Sequence, residues 1–265
     1  MTNPDLRIFS YLPNPRVWKA LIAAEFTGAQ VEVVGDKPPA LGKWLWDYDA
    51  RELPDGERVE TSPHARVSRR GFSGTLYKTD AFLTAHPFGT VPAGFGPGGE
   101  VGIFESNSIL RAAARAGDRD HGLYGKDPYT ASRIDSFLDA GLVFAREAQV
   151  YLLGMDDLDQ ATYDRMAGAY EFYLNGVENA LTETTHLVGD QLTIADISFV
   201  CDFSQFLREG HYDEQLKAKG FQAISELGMQ EYPKAFAHML SLNETEAFEK
   251  HMGSYLNWFK RKLAS

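Results

Sequence analysis

A single cysteine, Cys201, occurs in the 265 residues. That excludes an intrachain disulfide and any cysteine-based metal cluster, and it fits a reducing, cytoplasmic setting. Cys201 stands in DISFVCDF among apolar residues and reads as a small buried hydrophobe, not a reactive thiol. No apolar run is long enough to span a bilayer, and MTNPDLRIFSY lacks the basic-then-apolar order of a secretory signal. Basic charge is also scarce: 26 Lys and Arg stand against 37 Asp and Glu, a formal net charge of -11. Such a surface repels phosphate backbones and anionic lipid, so neither nucleic acid nor membrane is expected as a partner. The glycine-rich stretch GFGPGGEVG, residues 94–102, has glycines at G-x-G-x-x-G spacing but leads into a strand and not a helix, so it is a turn. Walker, G-x-S-x-G and H-E-x-x-H patterns are missing, and the seven histidines lack ligand spacing. Neither a metal nor a nucleotide is expected.

What is present is 44% hydrophobic content, enough for one large domain or two ordinary ones. LRIFSY reads as a strand, PRVWKALIAAEF as a helix and QVEVV as a second strand, which together predict a right-handed βαβ unit. Residues 36 to about 79 then lose all periodicity and are rich in Pro, Gly and charge, with Trp44, Trp46 and the basic run RVSRR. A loop this long inside a domain is unusual. It reads either as a surface decoration or as a lid or subunit contact. TDAFLTAH predicts a short helix, and GTVPAGF and EVGIF predict a hairpin across GPGG. SNSILRAAARAG predicts a helix with Ile109, Leu110 and Ala113 inward and Gly117 as its stop. From about 128 onward the pattern is helical only, and the apolar segment TIADISFVCDFSQF is expected to be central. The domains are therefore placed at 1–118, with an insertion at about 36–79, and at 126–265.

Three short stretches carry chemistry. Pro92 opens a strand, cannot donate a ladder bond, and is a candidate for a cis Val91–Pro92 peptide. The kink leaves the N–H and C=O of Val91 for an extended peptide ligand. In FESNSI a helix begins near Ser106, where free N–H groups suit a carboxylate, and Glu105 beside it suits an ammonium group. The pair reads either as an α-amino-acid clamp or as a simple helix start. In SYLPNPRVWKAL, Asn14 and Pro15 form a strong cap and first-position pair. Thr193 and Asp196 in LTIADIS form a capping-box variant, a structural device.

TVPA and FESNSI in an α/β region, followed by LVGDQLTIADIS in a helical one, resemble the glutathione S-transferase superfamily in that order. WKALIAAEFTGAQVEV and GIFESNSI are most similar to the transferase-like domain of elongation factor 1 gamma. NPRVWKA resembles bacterial glutathione-dependent enzymes that cleave β-aryl ethers in lignin fragments. The resemblance implies an α/β thioredoxin-like N-terminal domain, an all-α C-terminal domain, and glutathione as co-substrate.

It implies these roles. Val91, held by Pro92, pairs with the cysteinyl backbone, and Glu105 and Ser106 hold the γ-glutamyl end. Thr90 stands where many relatives carry Lys or Gln for the glycine carboxylate, which leaves Lys43, His86 or an arginine of RVSRR as substitutes. The thiol is activated at the first turn, by Asn14 first, then Tyr11 and Ser10, with Arg16 adding positive potential or facing solvent. Asn14 is otherwise a cap alone. The thiolate attacks a hydrophobic or aromatic electrophile near Phe137, Phe144 and Tyr151, seven apart on one helix face, a spacing that core packing also produces. Tyr255, Trp258 and Phe259 are candidates to cover the site. A homodimer or a heterodimer with a related subunit is implied. The alternative is a non-catalytic assembly scaffold of the elongation factor 1 gamma type. Against it, the chain ends soon after the transferase-like pattern, so a further C-terminal domain of that type is not expected.

Overall fold

A computed structural model of the chain describes residues 3–68, 72, 74–119 and 121–264. The chain divides into two compact units, Met1–Arg119 and Asp120–Ser265.

The first unit opens with β1 (Leu6–Tyr11), α1 (Pro15–Thr27) and β2 (Val31–Asp36). β1 and β2 are parallel, with Leu6 opposite Val31 and Tyr11 opposite Asp36, the βαβ arrangement the sequence predicts. Asn14 caps α1, Pro15 occupies its first position, and Gly28 closes it with a left-handed φ of 76° that favours glycine. The insertion carries a second sheet of its own, built from β3 (Trp44–Trp46), β4 (Arg51–Glu52), β5 (Ala65–Val67) and β6 (Thr75–Lys78). Its order is β4-β3-β6-β5, with β3 and β6 parallel. The aperiodic loop expected there is thus a small sheet around which 3-10 turns are arranged. Nor is it only a decoration. Trp46, 1% exposed, packs in one cluster with Phe9, Leu41, Leu76, Phe82 and Phe95. Its indole N–H donates to the Leu41 carbonyl at 3.0 Å.

α2 (Asp80–Ala85), β7 (Ala93–Phe95), β8 (Gly102–Phe104) and α3 (Ser106–Arg115) complete the unit. The main sheet has the order β2-β1-β7-β8. One face of it, through Phe9, Ala93 and Phe95, meets the Trp46 cluster. On the other face Gly94, which pairs with Ile8, lies so close to α3 that a Cβ there would stand 3.0 Å from Ile109. α1 and α3 pack against each other, and the Thr27 hydroxyl donates to the Ala113 carbonyl at 3.1 Å. Ile109, Leu110 and Ala113 are buried as expected.

The second unit is helical: α4 (Pro128–Leu153), α5 (Gln160–Glu183), α6 (Ile194–Phe206), α7 (Asp213–Ala218), α8 (Ile224–Glu231), α9 (Pro233–Asn243), α10 (Glu246–Met252) and α11 (Asn257–Ala264). α6 is central: nearly all its residues, Cys201 included, are buried. Its capping box forms, and the Asp196 carboxylate accepts from the Thr193 N–H, the Thr193 hydroxyl and the Leu187 N–H, each at 2.9 Å. Among the described residues no helix is long and apolar enough to cross a membrane. No three His, Cys, Asp or Glu side chains gather there as a metal would require.

Candidate functional site

Three stretches leave the main sheet at the same end. Phe9, Ala93 and Phe104 lie side by side across β1, β7 and β8. β7 runs antiparallel to both neighbours, so Tyr11–Asn14, Val91–Pro92 and Glu105–Ser106 all project past that row in one direction. The juxtaposition follows from strand order, which no single motif encodes.

The Val91–Pro92 peptide is cis, and so is Leu12–Pro13, which the sequence analysis did not mark. Val91 precedes the first paired residue of β7, and among the described residues no hydrogen bond reaches its N–H or C=O. The loop before it is tied from the insertion: Lys78 Nζ donates to the Gly89 carbonyl at 2.6 Å and stands 4.5 Å from the centre of the Trp46 ring. Burial lowers the Lys78 pKa.

Glu105, exposed, is the one non-glycine residue with a positive φ among the described residues, at 67°. Such a backbone costs about 1–3 kcal/mol and persists where its surroundings hold it. It immediately precedes the first turn of α3, and its carbonyl accepts from the Ser108 and Ile109 N–H groups at 3.0 Å each. Ser106 and Asn107 follow, 6% and 3% exposed. Beneath them lies a residue that sequence reading missed. Lys19, on the buried face of α1 and 1% exposed, donates to Asn107 Oδ1 at 2.8 Å and stands 3.5 Å from Ser106 Oγ. A lysine in a helix ordinarily reads as solvent-facing, so only its position against the small residues of α1 and α3 hinted otherwise.

At the first turn, the Asn14 side chain is fully buried and spent inside the unit. Its Oδ1 accepts from the Arg16 N–H at 3.0 Å and its Nδ2 donates to Ser10 Oγ at 3.1 Å. Ser10 is also fully buried. Tyr11 keeps partial exposure while packing beside the Trp46 cluster, and Arg16 is half-buried.

The family model for the C-terminal domain of glutathione S-transferase matches residues 134–226. The glutathione S-transferase-like protein LUC7 of a Fusarium species is 28% identical over 200 residues, covering 74% of this chain and 74% of that protein. The comparisons support the glutathione S-transferase superfamily, through the C-terminal family model and through relatives of that kind. The two-part fold agrees: a glutathione S-transferase from Methylobacillus flagellatus, solved with glutathione bound, superposes with a TM-score of 0.62 at 15% identity, over 93% of this chain and 98% of that one. Elongation factor 1 gamma of Mus musculus is 28% identical over 198 residues, 73% of this chain but only 37% of the factor. The thioredoxin-like α/β region and the helical region have the glutathione S-transferase fold.

The remaining expected site residues lie as follows. His86 is enclosed, stacked on Phe82 at 5.1 Å and edge-on to Phe95 at 4.7 Å. Burial pulls its pKa down to about 4 against the opposite pull of the Gly94 backbone, so it is a neutral core residue and not an anion contact. Lys43 is exposed, and Arg66 of the basic run pairs with Asp80 at 2.8 Å. Arg69 and Arg70 lie outside the described residues. In the helical unit Phe144 stacks on Tyr173 at 4.8 Å and meets Phe206 at 5.5 Å, and Tyr151 donates to Glu209 at 2.7 Å. Both are 1% exposed and serve the core. Phe137 is half-buried, with the Arg133 guanidinium 5.0 Å from its ring centre. Phe259 stacks on Phe236 at 6.2 Å, and Trp258 meets His211 at 4.3 Å.

Proposed function

We propose that the protein binds glutathione at this end of its first unit and activates the thiol. The thiolate then attacks an aromatic or hydrophobic electrophile. Thiolytic cleavage of a β-aryl ether in a lignin-derived aromatic is one such reaction: the C–S bond forms at the β-carbon as its C–O bond breaks, and the aryl oxide leaves and takes up a proton from water. The observation that carries the reading is the convergence of the unbonded Val91 backbone, the strained Glu105 and the helix start at Ser106 on one sheet end. An extended peptide with an α-amino acid at one terminus needs those three things together. Val91, held by Pro92, pairs with the cysteinyl backbone. Glu105 takes the ammonium and Ser106 the carboxylate of the γ-glutamyl end. Arg16 contributes positive potential.

A cysteine thiol with a pKa of about 8.5 is only a few per cent thiolate at neutral pH, and each unit of lowering is worth about 1.4 kcal/mol. The first turn of α1 supplies that lowering. Asn14 and Ser10, both buried, hold the turn's geometry. Tyr11, the one of the three with open surface, presents a phenol O–H to the sulfur. Among the aromatics of α4 expected to contact the electrophile, Phe144 and Tyr151 are taken up by the core, which leaves Phe137 as the candidate. The active form is a homodimer or a heterodimer with a related subunit, and a cytoplasmic location completes the reading.

The test is calorimetric titration with glutathione, together with turnover of an activated aryl halide and of a β-aryl ether. These are run on the parent, Tyr11→Phe and Asn14→Ala. Binding by all three, with turnover at least about tenfold lower in Tyr11→Phe, is expected. Absence of glutathione binding by the parent sinks the reading. The similarity to elongation factor 1 gamma favours a second reading, a scaffold that turns nothing over. Glutathione binding without turnover of either electrophile would select it.

A further inference from the structure

The mechanism above leaves unused the buried ammonium of Lys19. Resting on the glutathione reading, we infer that Lys19 is a positioning residue: from behind the start of α3 it turns the Ser106 hydroxyl outward as a donor to the ligand's α-carboxylate. An ammonium has three donors and no acceptor. The atom of Asn107 facing it at 2.8 Å is therefore the amide oxygen, and this fixes the orientation of that amide. Ser106 Oγ lies 3.5 Å from the same cation. That distance is long for a hydrogen bond but short for an ion and a dipole: the oxygen lone pairs face Nζ and the O–H proton points away. A serine hydroxyl is ordinarily free to rotate between donor and acceptor roles. Here the cation takes up the acceptor role on the inner side and leaves the donor role to the outer side.

The second effect is charge. The first turn of α3 carries the positive end of its dipole, and Lys19 places a full positive charge within the same two-residue neighbourhood. With 1% of Lys19 exposed, water does little to screen it. An anion at Ser106 would thus meet an oriented hydroxyl at the positive end of α3 and a cation one layer behind it. The residue is built into the helix interface, where Thr27 fixes the far end of α1 to Ala113 of α3. The cation therefore cannot swing out to bind the ligand directly. It acts through Ser106.

The experiment compares two ligands, glutathione and its analogue lacking only the α-carboxylate, by calorimetry on the parent, Lys19→Met, Lys19→Gln and Lys19→Arg. Thermal midpoints are recorded alongside. Expected is a loss in glutathione affinity of about tenfold or more in the neutral variants. The analogue should bind all four proteins within about twofold. Lys19→Arg should restore most of the preference for glutathione. A merely structural lysine would move both ligands together, so equal losses on the two overturn the assignment while leaving the glutathione reading intact. Failure of both neutral variants to fold makes Lys19 a packing cation of the α1–α3 interface and also overturns it. No binding of glutathione by the parent removes the reading on which the proposal rests.

Discussion

Asn14 Nδ2 donates to Ser10 Oγ at 3.1 Å, and the end of β1 is thereby locked to the start of α1 by a side chain that also caps the helix. A capping asparagine usually lies at the surface and uses only its oxygen. Here both ends of the amide are engaged in a fully buried place. Replacing Asn14 by Ala removes the cap and strands the Ser10 hydroxyl, so a loss of about 2–3 kcal/mol in unfolding free energy is expected. Asn14→Asp keeps the cap acceptor but buries a carboxylate against Ser10, and it should destabilise as well. Urea titration measures both.

Glu105 holds a φ of 67° that glycine would adopt without strain. Glu105→Gly is expected to raise stability by about 1 kcal/mol, less the added entropy of the unfolded chain. It should also weaken glutathione binding by removing the carboxylate proposed for the ammonium. Stability and affinity moving in opposite directions would mark the strain as serving the site. A loss of both would assign Glu105 to packing alone.

His86 predicts a pH response. Its native pKa, pulled down to about 4 by burial, lies below the ordinary value of about 6.5 in the unfolded chain. Between those values the unfolded state binds the extra proton. The contribution is therefore complete above about pH 6.5 and is lost as the pH falls toward 4, by about 2 kcal/mol. His86→Phe should flatten the fall in thermal midpoint over that window. An unchanged pH profile would show that the ring is neutral in neither state's favour.

The buried Glu209 carboxylate accepts from the Tyr151 hydroxyl at 2.7 Å, the Ile224 N–H at 2.9 Å, the Ser225 N–H at 2.8 Å and the Ser225 hydroxyl at 2.7 Å. It thus serves as the N-terminal cap of α8 from a distance, and burial pushes its pKa up despite these donors. Glu209→Ala leaves four donors without an acceptor and should cost about 3–5 kcal/mol. Tyr151→Phe should cost about 1–2 kcal/mol. A double-mutant cycle on the pair, read by chemical denaturation, should show coupling. Additive losses would argue against the shared hydrogen bond.

Local structure is legible in the order of the amino acids. Asn14–Pro15, Thr193–Asp196 and Gly117 mark helix ends because caps act within a few residues. The long apolar stripes of α4, α5 and α6 mark the helical unit because burial at period 3.6 needs no distant partner to be recognised. The order of motifs pointed to the superfamily. What depends on residues far apart in the chain emerges with folding. The strands of the insertion are two to four residues long, and β3 pairs with β6 some thirty residues later, so no local period announces them. Phe144 and Tyr151 share their seven-residue spacing with Phe137, yet contact with Tyr173 and Glu209 takes two of them into the core and leaves the third half-buried. Lys19 reaches Asn107 across 88 positions. A charged side chain carries no mark of burial in the sequence. Its surroundings become apolar, and its charge strong, only when α1 and α3 close over it.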